Sequence, residues 1–303
     1  MPDTDSRDLL DSAVLSRLSR LTVQARMPML GSVSGIHRSA TRGSSVEFAE
    51  YRKYVPGDDT RHVDWRVFAR SDRFYMKEFE ADTNLRCHIA VDCSGSMGFA
   101  GAHGVRFRYA TRLAATLAHL LMYQGDAVGL LCFSDKVVRD IPPRDSPSHL
   151  KAILDALAEV EPAGRTDVVR TMHALAEKAR QRALVILISD LLADVPALLD
   201  CFEHMRFRKH DLAVFHLLDP QETDFEFDRP IRFVDMEDGF HMITDPSVVK
   251  GAYRRALDAY LRSMASGCGE FGVDYRVVFA HQDYEQALAA FLLKRKNRAS
   301  ARV

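Results

Sequence analysis

Two apolar runs that break off into aspartate constrain the fold of this chain most. One is Cys87-His88-Ile89-Ala90-Val91, which feeds the turn Asp92-Cys93-Ser94-Gly95-Ser96-Met97; the other is Leu184-Val185-Ile186-Leu187-Ile188-Ser189, which ends at Asp190. Such runs read as buried parallel strands, and open α/β sheets gather ligands in the crevice at the carboxyl ends of those strands. A third stretch, Gly164-Arg165-Thr166-Asp167, is a loop ahead of a helical segment. Three loops carrying Asp-x-Ser-x-Ser, Thr and Asp are therefore expected to form one constellation.

The chemistry of that constellation narrows its ligand. Asp92, Ser94 and Ser96 offer only oxygen, at alternate positions of a tight turn that Gly95 allows to fold closely. Few carboxylates with neutral hydroxyls and water suit a hard cation in an octahedral shell, Mg²⁺ before Mn²⁺ or Ca²⁺. The same residue types also cap turns and helix starts. What favours a metal is the convergence of Thr166 and Asp190 on the same sheet edge.

The rest of the chain alternates strand and helix. After the Asp92 turn, Val105, Tyr109, Leu113, Leu117 and Leu120 mark one helix face that stops at Gly125, a C-cap. A buried strand follows at 127–133, then a turn at 134–136 and an antiparallel edge at 137–141. Helices are expected from Ser148, as N-cap, to Val160 and over 168–182, 194–205, 247–266 and 283 to about 295, with strands over 212–218 and 273–280. The acidic, Phe-rich stretch that runs to Asp245 has room for a β-hairpin. This order predicts a doubly wound, mostly parallel α/β sheet with an antiparallel edge strand and an N-terminal extension.

The extension reads in three parts. An amphipathic helix over 8–27 carries Leu9, Leu10, Val14, Leu15, Leu18 and Leu21 on one face, expected to pack on its own domain. Residues 28–45 are rich in Gly and Ser and read as loop or irregular strand. Residues 46–82 interleave aromatics with Arg and Lys, but Glu47, Glu50, Asp58, Asp59, Asp64, Asp72, Glu78 and Glu80 offset the charge, which argues for ion pairs or a protein-binding surface over nucleic acid. Val55-Pro56-Gly57-Asp58 is a turn signal, and 73–79 reads as a strand leading toward the main sheet. The expected organisation is an arm and charged segment at 1–82 packing on a main domain at 83–295, with a basic tail at 296–303.

Composition excludes several classes. Across 303 residues, 41 basic and 42 acidic side chains leave a formal net charge of −1, so no bulk attraction to nucleic acid or anionic membrane exists. Five scattered cysteines contain no Cys-x-x-Cys pair, which argues against zinc and against a disulfide framework. With an Asp- and Ser-rich start and no run of about 18 apolar residues, a cytoplasmic protein without a membrane span is expected.

Asp92-x-Ser94-x-Ser96, Thr166 and Asp190 together resemble the metal-ion-dependent adhesion site (MIDAS) of von Willebrand factor A domains. The stretch Arg42-Gly43-Ser44-Ser45-Val46-Glu47-Phe48-Ala49-Glu50-Tyr51-Arg52-Lys53-Tyr54-Val55-Pro56-Gly57-Asp58-Asp59, continued by Arg61-His62-Val63-Asp64-Trp65-Arg66, resembles a narrower bacterial group, the domain of unknown function 58 family. The resemblance implies that Ser94 and Ser96 bind the metal directly, Thr166 directly or through water, and Asp92 and Asp190 largely through water. It also implies a partner, a MoxR-type AAA+ ATPase, for which this chain acts as an adaptor or assembly factor. With both carboxylates outside the inner shell, the cation keeps its Lewis acidity for a carboxylate supplied by that partner or its client.

Two enzyme readings compete. Ser94-Gly95-Ser96-Met97-Gly98 nearly matches a nucleophile elbow, making Ser96 the nucleophile of a serine hydrolase with Asp190 and a later His, although Ser94 stands at the first Gly position. A Mg²⁺-dependent phosphatase with Asp92 as nucleophile would want a carboxylate where Ser94 stands. No phosphate-cradling Gly-x-x-x-x-Gly-Lys-Ser/Thr loop occurs, so the chain is not expected to be the ATPase. Cys93 is expected to point into the sheet rather than serve as a redox thiol, Asp167 to start the next helix, and His241 and His281 to be ordinary histidines.

Overall fold

The computed structural model describes residues 6–21, 23, 37–38, 47–54, 63–71, 73–80, 82–83, 85–102, 104–227 and 229–300. The chain forms two compact units, one made of residues 1–26 and 86–303 and the other of residues 27–85.

The larger unit is built on six strands: β1 (Arg86–Asp92), β2 (Ala127–Phe133), β3 (Val137–Arg144), β4 (Leu184–Ser189), β5 (Asp211–Leu218) and β6 (Asp274–Phe279). Their order across the sheet is β6-β5-β4-β1-β2-β3, parallel except for the antiparallel edge β3. The chain starts in the middle at β1, moves one way to β2 and β3, and then crosses back to β4 on the other side of β1. That reversal makes the carboxyl ends of β1 and β4 the topological switch point, where open sheets splay their loops apart and leave a crevice. Asp92 and Asp190 stand at those two strand ends.

Every residue of β4 and β5 is buried, as strands covered on both faces must be. Among the described residues eight α-helices complete the unit: α1 (Ser12–Leu18), α2 (Arg106–Tyr123), α3 (Pro147–Glu159), α4 (Val168–Lys178), α5 (Val195–Phe207), α6 (Pro220–Asp224), α7 (Pro246–Glu270) and α8 (Tyr284–Ser300). Helices α4, α5 and α7 close one face around Met172, Leu175, Leu198, Phe202, Met205 and Met264, packed on Val185, Leu187 and Val214. Helix α2 lies against the strands with α1, α3 and α8 beside it. The result is a three-layer doubly wound sheet with one antiparallel edge, as the alternation of elements predicts.

Several boundaries differ from the sequence reading. The amphipathic stretch 8–27 is a 3₁₀ turn (Ser6–Leu9) and a short helix α1, because Asp11 accepts from the Ala13 and Val14 amides and starts a new helix inside the expected one. Helix α3 is capped by Ser146, with Pro147 at its first position, so it begins one residue before Ser148. Helix α4 ends at Lys178 and not at 182, since the chain must turn into β4. Helix α8 runs on through Ser300, into the segment read as a tail.

In the smaller unit, strands Glu47–Lys53 and Tyr75–Glu80 pair antiparallel with each other and not with the six-stranded sheet. A helix at Trp65–Ser71 carries Phe68 onto Phe74, ring centroids 4.3 Å apart, with Trp65 edge-on to both. Trp65, Phe68 and Phe74 thus form a small aromatic cluster, with Tyr54 beside Phe74. The turn at 55–58 and most of 28–45, with Asp58, Asp59 and Arg61, lie outside the described residues.

Candidate metal centre

Main-chain hydrogen bonds tie the Asp92 turn to the end of β2 and to the Gly164 loop. Beyond β1 the Cys93 amide donates to Phe133 O at 2.7 Å, the Gly95 amide donates to Gly164 O at 2.8 Å, and the Ala163 amide donates to Cys93 O at 2.9 Å. Residues 95–98 then wind into a 3₁₀ turn. Gly164 has φ of 81°, a left-handed conformation that suits glycine and lets its carbonyl face the Asp92 turn. Asp167 accepts from the Arg170 amide at 3.1 Å and caps α4, the role expected of it.

All five expected residues meet in this crevice. Asp92 Oδ1 accepts from the Ser94 amide at 2.9 Å; its Oδ2 accepts from the hydroxyls of Thr166 at 3.0 Å and Ser189 at 2.7 Å. Ser94 and Ser96 hold their hydroxyl oxygens 3.1 Å apart. Asp190 Oδ2 accepts from Arg106 Nη1 at 2.7 Å, while its Oδ1 is buried with no hydrogen-bond partner among the described residues. Leu191, just beyond, has φ of 53°, a strained conformation for a leucine that is held by its amide donating to Ser189 Oγ and by Tyr260 donating to its carbonyl.

Four residues of this neighbourhood escaped the sequence reading. Ser189 directs Asp92, and a hydroxyl at the end of an apolar strand was the available signal. Arg106, at the first position of α2, is 1% exposed and also lies 2.6 Å from Glu222, which forms a capping box with Asp219 at the start of α6. A cation in a helix's first turn opposes the helix dipole, so an acidic partner was to be suspected. Glu237, on the hairpin Ile231–Val234 and His241–Thr244, accepts from the Thr166 amide at 3.2 Å.

The electrostatics are those of two carboxylates in one dry pocket. Burial raises the Asp92 pKa above its ordinary value against hydrogen bonds from Ser94, Ser189 and Thr166. Burial and then the Asp92 charge push Asp190 up to about 7, with Arg106 and a hydrogen bond from the Ser96 side chain opposing. Burial pulls Arg106 down, but Glu222 and Asp190 more than offset it, so the guanidinium stays charged. A charged guanidinium at 2.7 Å favours an ionised Asp190, and the upward push on both aspartates measures how much a further cation would relieve.

The donor set fits a hard divalent cation. Neighbouring corners of an octahedral shell with bonds of about 2.1 Å lie about 3 Å apart, which is the Ser94–Ser96 oxygen spacing. The orphaned Asp190 Oδ1 is an acceptor that burial makes costly until a cation or water meets it. Among the described residues no three His, Cys, Asp or Glu side chains converge to hold one ion directly, so an ion held here would need hydroxyl oxygens among its contacts. Cys93 is buried, donates to Phe133 O, and has its pKa pushed up to about 12 by burial, which keeps it a thiol.

The chain is similar to several known proteins. The chain is 27% identical over 272 residues to Uncharacterized protein Rv1480 of Mycobacterium tuberculosis, covering 86% of this chain and 84% of that one. Among solved structures, the conserved hypothetical protein BatB from Bacteroides thetaiotaomicron is similar at 14% identity and TM-score 0.47, over 71% of this chain and 100% of that chain. The manganese-loaded TRAP protein of Plasmodium vivax is similar at 18% identity and TM-score 0.36, over 44% of this chain and 56% of that chain. Among the described residues no helix is long and apolar enough to cross a membrane. The model of the family described as protein of unknown function DUF58 matches residues 50–263, and this chain belongs to that family.

Proposed function

We propose that the chain is a metal-ion-dependent protein-interaction module without catalytic activity of its own. Ser94, Ser96 and Thr166 hold a divalent cation, Mg²⁺ before Mn²⁺ or Ca²⁺, while Asp92 and Asp190 hold its outer oxygens. The observation that carries this reading is the meeting of the Asp92 turn, joined by main-chain hydrogen bonds to the Gly164 loop, with Asp190, whose Oδ1 is buried without a hydrogen-bond partner among the described residues. Asp92 fixes the Thr166 hydroxyl, Ser189 fixes Asp92, and Arg106 fixes Asp190, so the oxygens are set before any ligand arrives. The bound ion would supply a Lewis-acidic position for a carboxylate of another protein. That protein is a MoxR-type AAA+ ATPase or its client, with the chain acting as adaptor or assembly factor in the cytosol; five free, buried cysteines suit a reducing compartment.

Calorimetric titration of Mg²⁺ and Mn²⁺ into the protein, beside a folded Asp92→Ala, Ser94→Ala double variant, tests the metal site. Saturable binding lost in the variant is expected, together with capture of a purified MoxR-type ATPase that EDTA abolishes. Absent metal binding overturns the reading. Labelling of Ser96 by a fluorophosphonate, or phosphate release from common phosphoesters, would replace it with one of the enzyme readings.

A further inference from the structure

Resting on the metal-site reading above, we propose that Glu237 is an internal carboxylate for that site, taking the position left for a partner's carboxylate, so that capture requires its hairpin to lift.

The hairpin tip is seated on the candidate centre by contacts to two of its three loops. The Met236 carbonyl oxygen lies against Gly95, so close that a methyl group there would run into it. Asp238 accepts from Arg165 at 2.7 Å, and Glu237 Oε2 accepts from the Thr166 amide at 3.2 Å. The tip is internally built for this. Asp235 Oδ1 accepts from the Glu237 amide at 2.7 Å, Asp238 Oδ1 from the Phe240 amide at 2.9 Å, and Gly239 takes φ of 75° to close the turn.

The second oxygen of Glu237 is what points to an ion. Oε1 is buried and has no hydrogen-bond partner among the described residues, the same condition as Asp190 Oδ1. Asp190 Oδ1 and Glu237 Oε1 are thus two buried carboxylate oxygens without a hydrogen-bond partner on elements that meet at the Thr166 loop, and a cation there would meet the need of both. The nearby positive charges are already engaged, Arg106 with Asp190 and Glu222 and Arg165 with Asp238. With Asp92 and Asp190 acting through outer contacts, Glu237 is the carboxylate free to ligate directly.

The seat is also releasable. Among the described residues the two hairpin strands pair only with each other, and an isolated hairpin is marginally stable in water. Its base is anchored by Phe233 stacked on Phe225 at 5.6 Å, whereas Met236, Phe240, Met242 and Ile243 are exposed. Movement about that base would carry Glu237 away from the centre without disturbing the sheet.

The test titrates Mn²⁺ into the wild-type chain and Glu237→Gln, with the fold of each checked by circular dichroism, and then measures a Glu-containing peptide binding at saturating Mn²⁺. Glu237→Gln is expected to weaken Mn²⁺ about tenfold and yet to bind the peptide more tightly, because the internal competitor is gone. Amide exchange at 235–240 is expected to slow on Mn²⁺ addition in the wild type alone. If both proteins bind Mn²⁺ and peptide equally, the Glu237 assignment falls while the metal site stands. If the wild type binds no Mn²⁺, the metal reading falls and takes this inference with it.

Discussion

Each end of the central sheet buries aspartates around one arginine, and the two ends are finished differently. At the amino-terminal ends of β5 and β6, Asp211 and Asp274 receive Arg295 from α8, at 2.9 Å from Nη2 and 3.1 Å from Nε. At the carboxyl ends of β1 and β4, Arg106 reaches Asp190 but divides its charge with Glu222, and Asp190 Oδ1 is left over. Arg106 and Arg295 are the two largest fully buried side chains of the described chain. A guanidinium that answers both carboxylates makes a lock. One that answers only part of the negative charge leaves a demand, and in a crevice at a switch point that demand marks a ligand site.

The largest test removes each arginine. Arg295→Met and Arg106→Met should each cost about 3–5 kcal/mol in urea unfolding, because buried carboxylates lose their counter-charge. Millimolar Mg²⁺ should restore part of the loss for Arg106→Met and none for Arg295→Met. Equal responses to Mg²⁺ would erase the distinction between the two ends.

Next in size is the effect of the ion on the intact protein. Mg²⁺ at about a hundred times its dissociation constant should stabilise the wild-type chain by about 2.7 kcal/mol. Asp92→Ala with Ser94→Ala should remove that gain while leaving the response to Arg295→Met unchanged. Thermal melts with and without Mg²⁺ measure both quantities.

The open end was far more legible in the sequence than the closed one. Asp92, Ser94, Ser96, Thr166 and Asp190 announce themselves because local chain rules, apolar strand then polar turn, put them at one sheet edge. Arg295 sits in a segment with Lys294 and Lys296 whose composition looks solvated, and Asp211 and Asp274 begin strands where an acidic residue is unremarkable. Only tertiary packing of α8 brings them together. Arg106, Glu222 and Glu237 were hidden for the same reason, since each reaches the site across more than thirty residues of chain from Asp190, a separation no periodicity encodes. The doubly wound class and its antiparallel edge followed from the strand-helix alternation, whereas the break of the first helix at Asp11 turned on a single side chain competing for two amides.

His88 separates acid effects at the two ends. It lies on β1 four residues before Asp92, and burial, followed by the charge of His210, lowers its pKa to about 4, with Asp140 opposing and Lys178 and Arg86 reinforcing. The unfolded chain therefore takes up a proton near pH 6.5 that the folded chain refuses until about 4. Stability should be full above pH 6.5 and fall as the pH drops toward 4, by about 2 kcal/mol after allowing for partial exposure. His88→Gln should remove its share of that slope whether or not Mg²⁺ is present and leave the share of His216, which burial also lowers to about 4. Asp190, pushed up to about 7, works the other way and should add stability as the pH falls through that value in the absence of Mg²⁺, so an unchanged slope in His88→Gln would overturn the assignment to His88.

The smallest expected effect sharpens the comparison most, because it separates stability from readiness to bind. Ser189→Ala removes one of two hydroxyls donating to Asp92 Oδ2 while Thr166 keeps the other, so unfolding stability should drop by only about 1 kcal/mol. Ser189 also accepts from the Leu191 amide, so its loss frees both Asp92 and the strained turn that carries Asp190. Metal affinity should consequently fall about tenfold, as it does when groups that orient a metal's ligands are removed. At the closed end the matching change is Lys294→Met, whose ammonium lies 3.8 Å from Asp274 and is partly exposed, and it should alter neither stability by more than about 1 kcal/mol nor metal affinity at all. A site kept for binding is one where losing orientation costs more in affinity than in stability. Ser189→Ala with unchanged Mn²⁺ affinity would mean that the open end is merely an imperfect copy of the closed one.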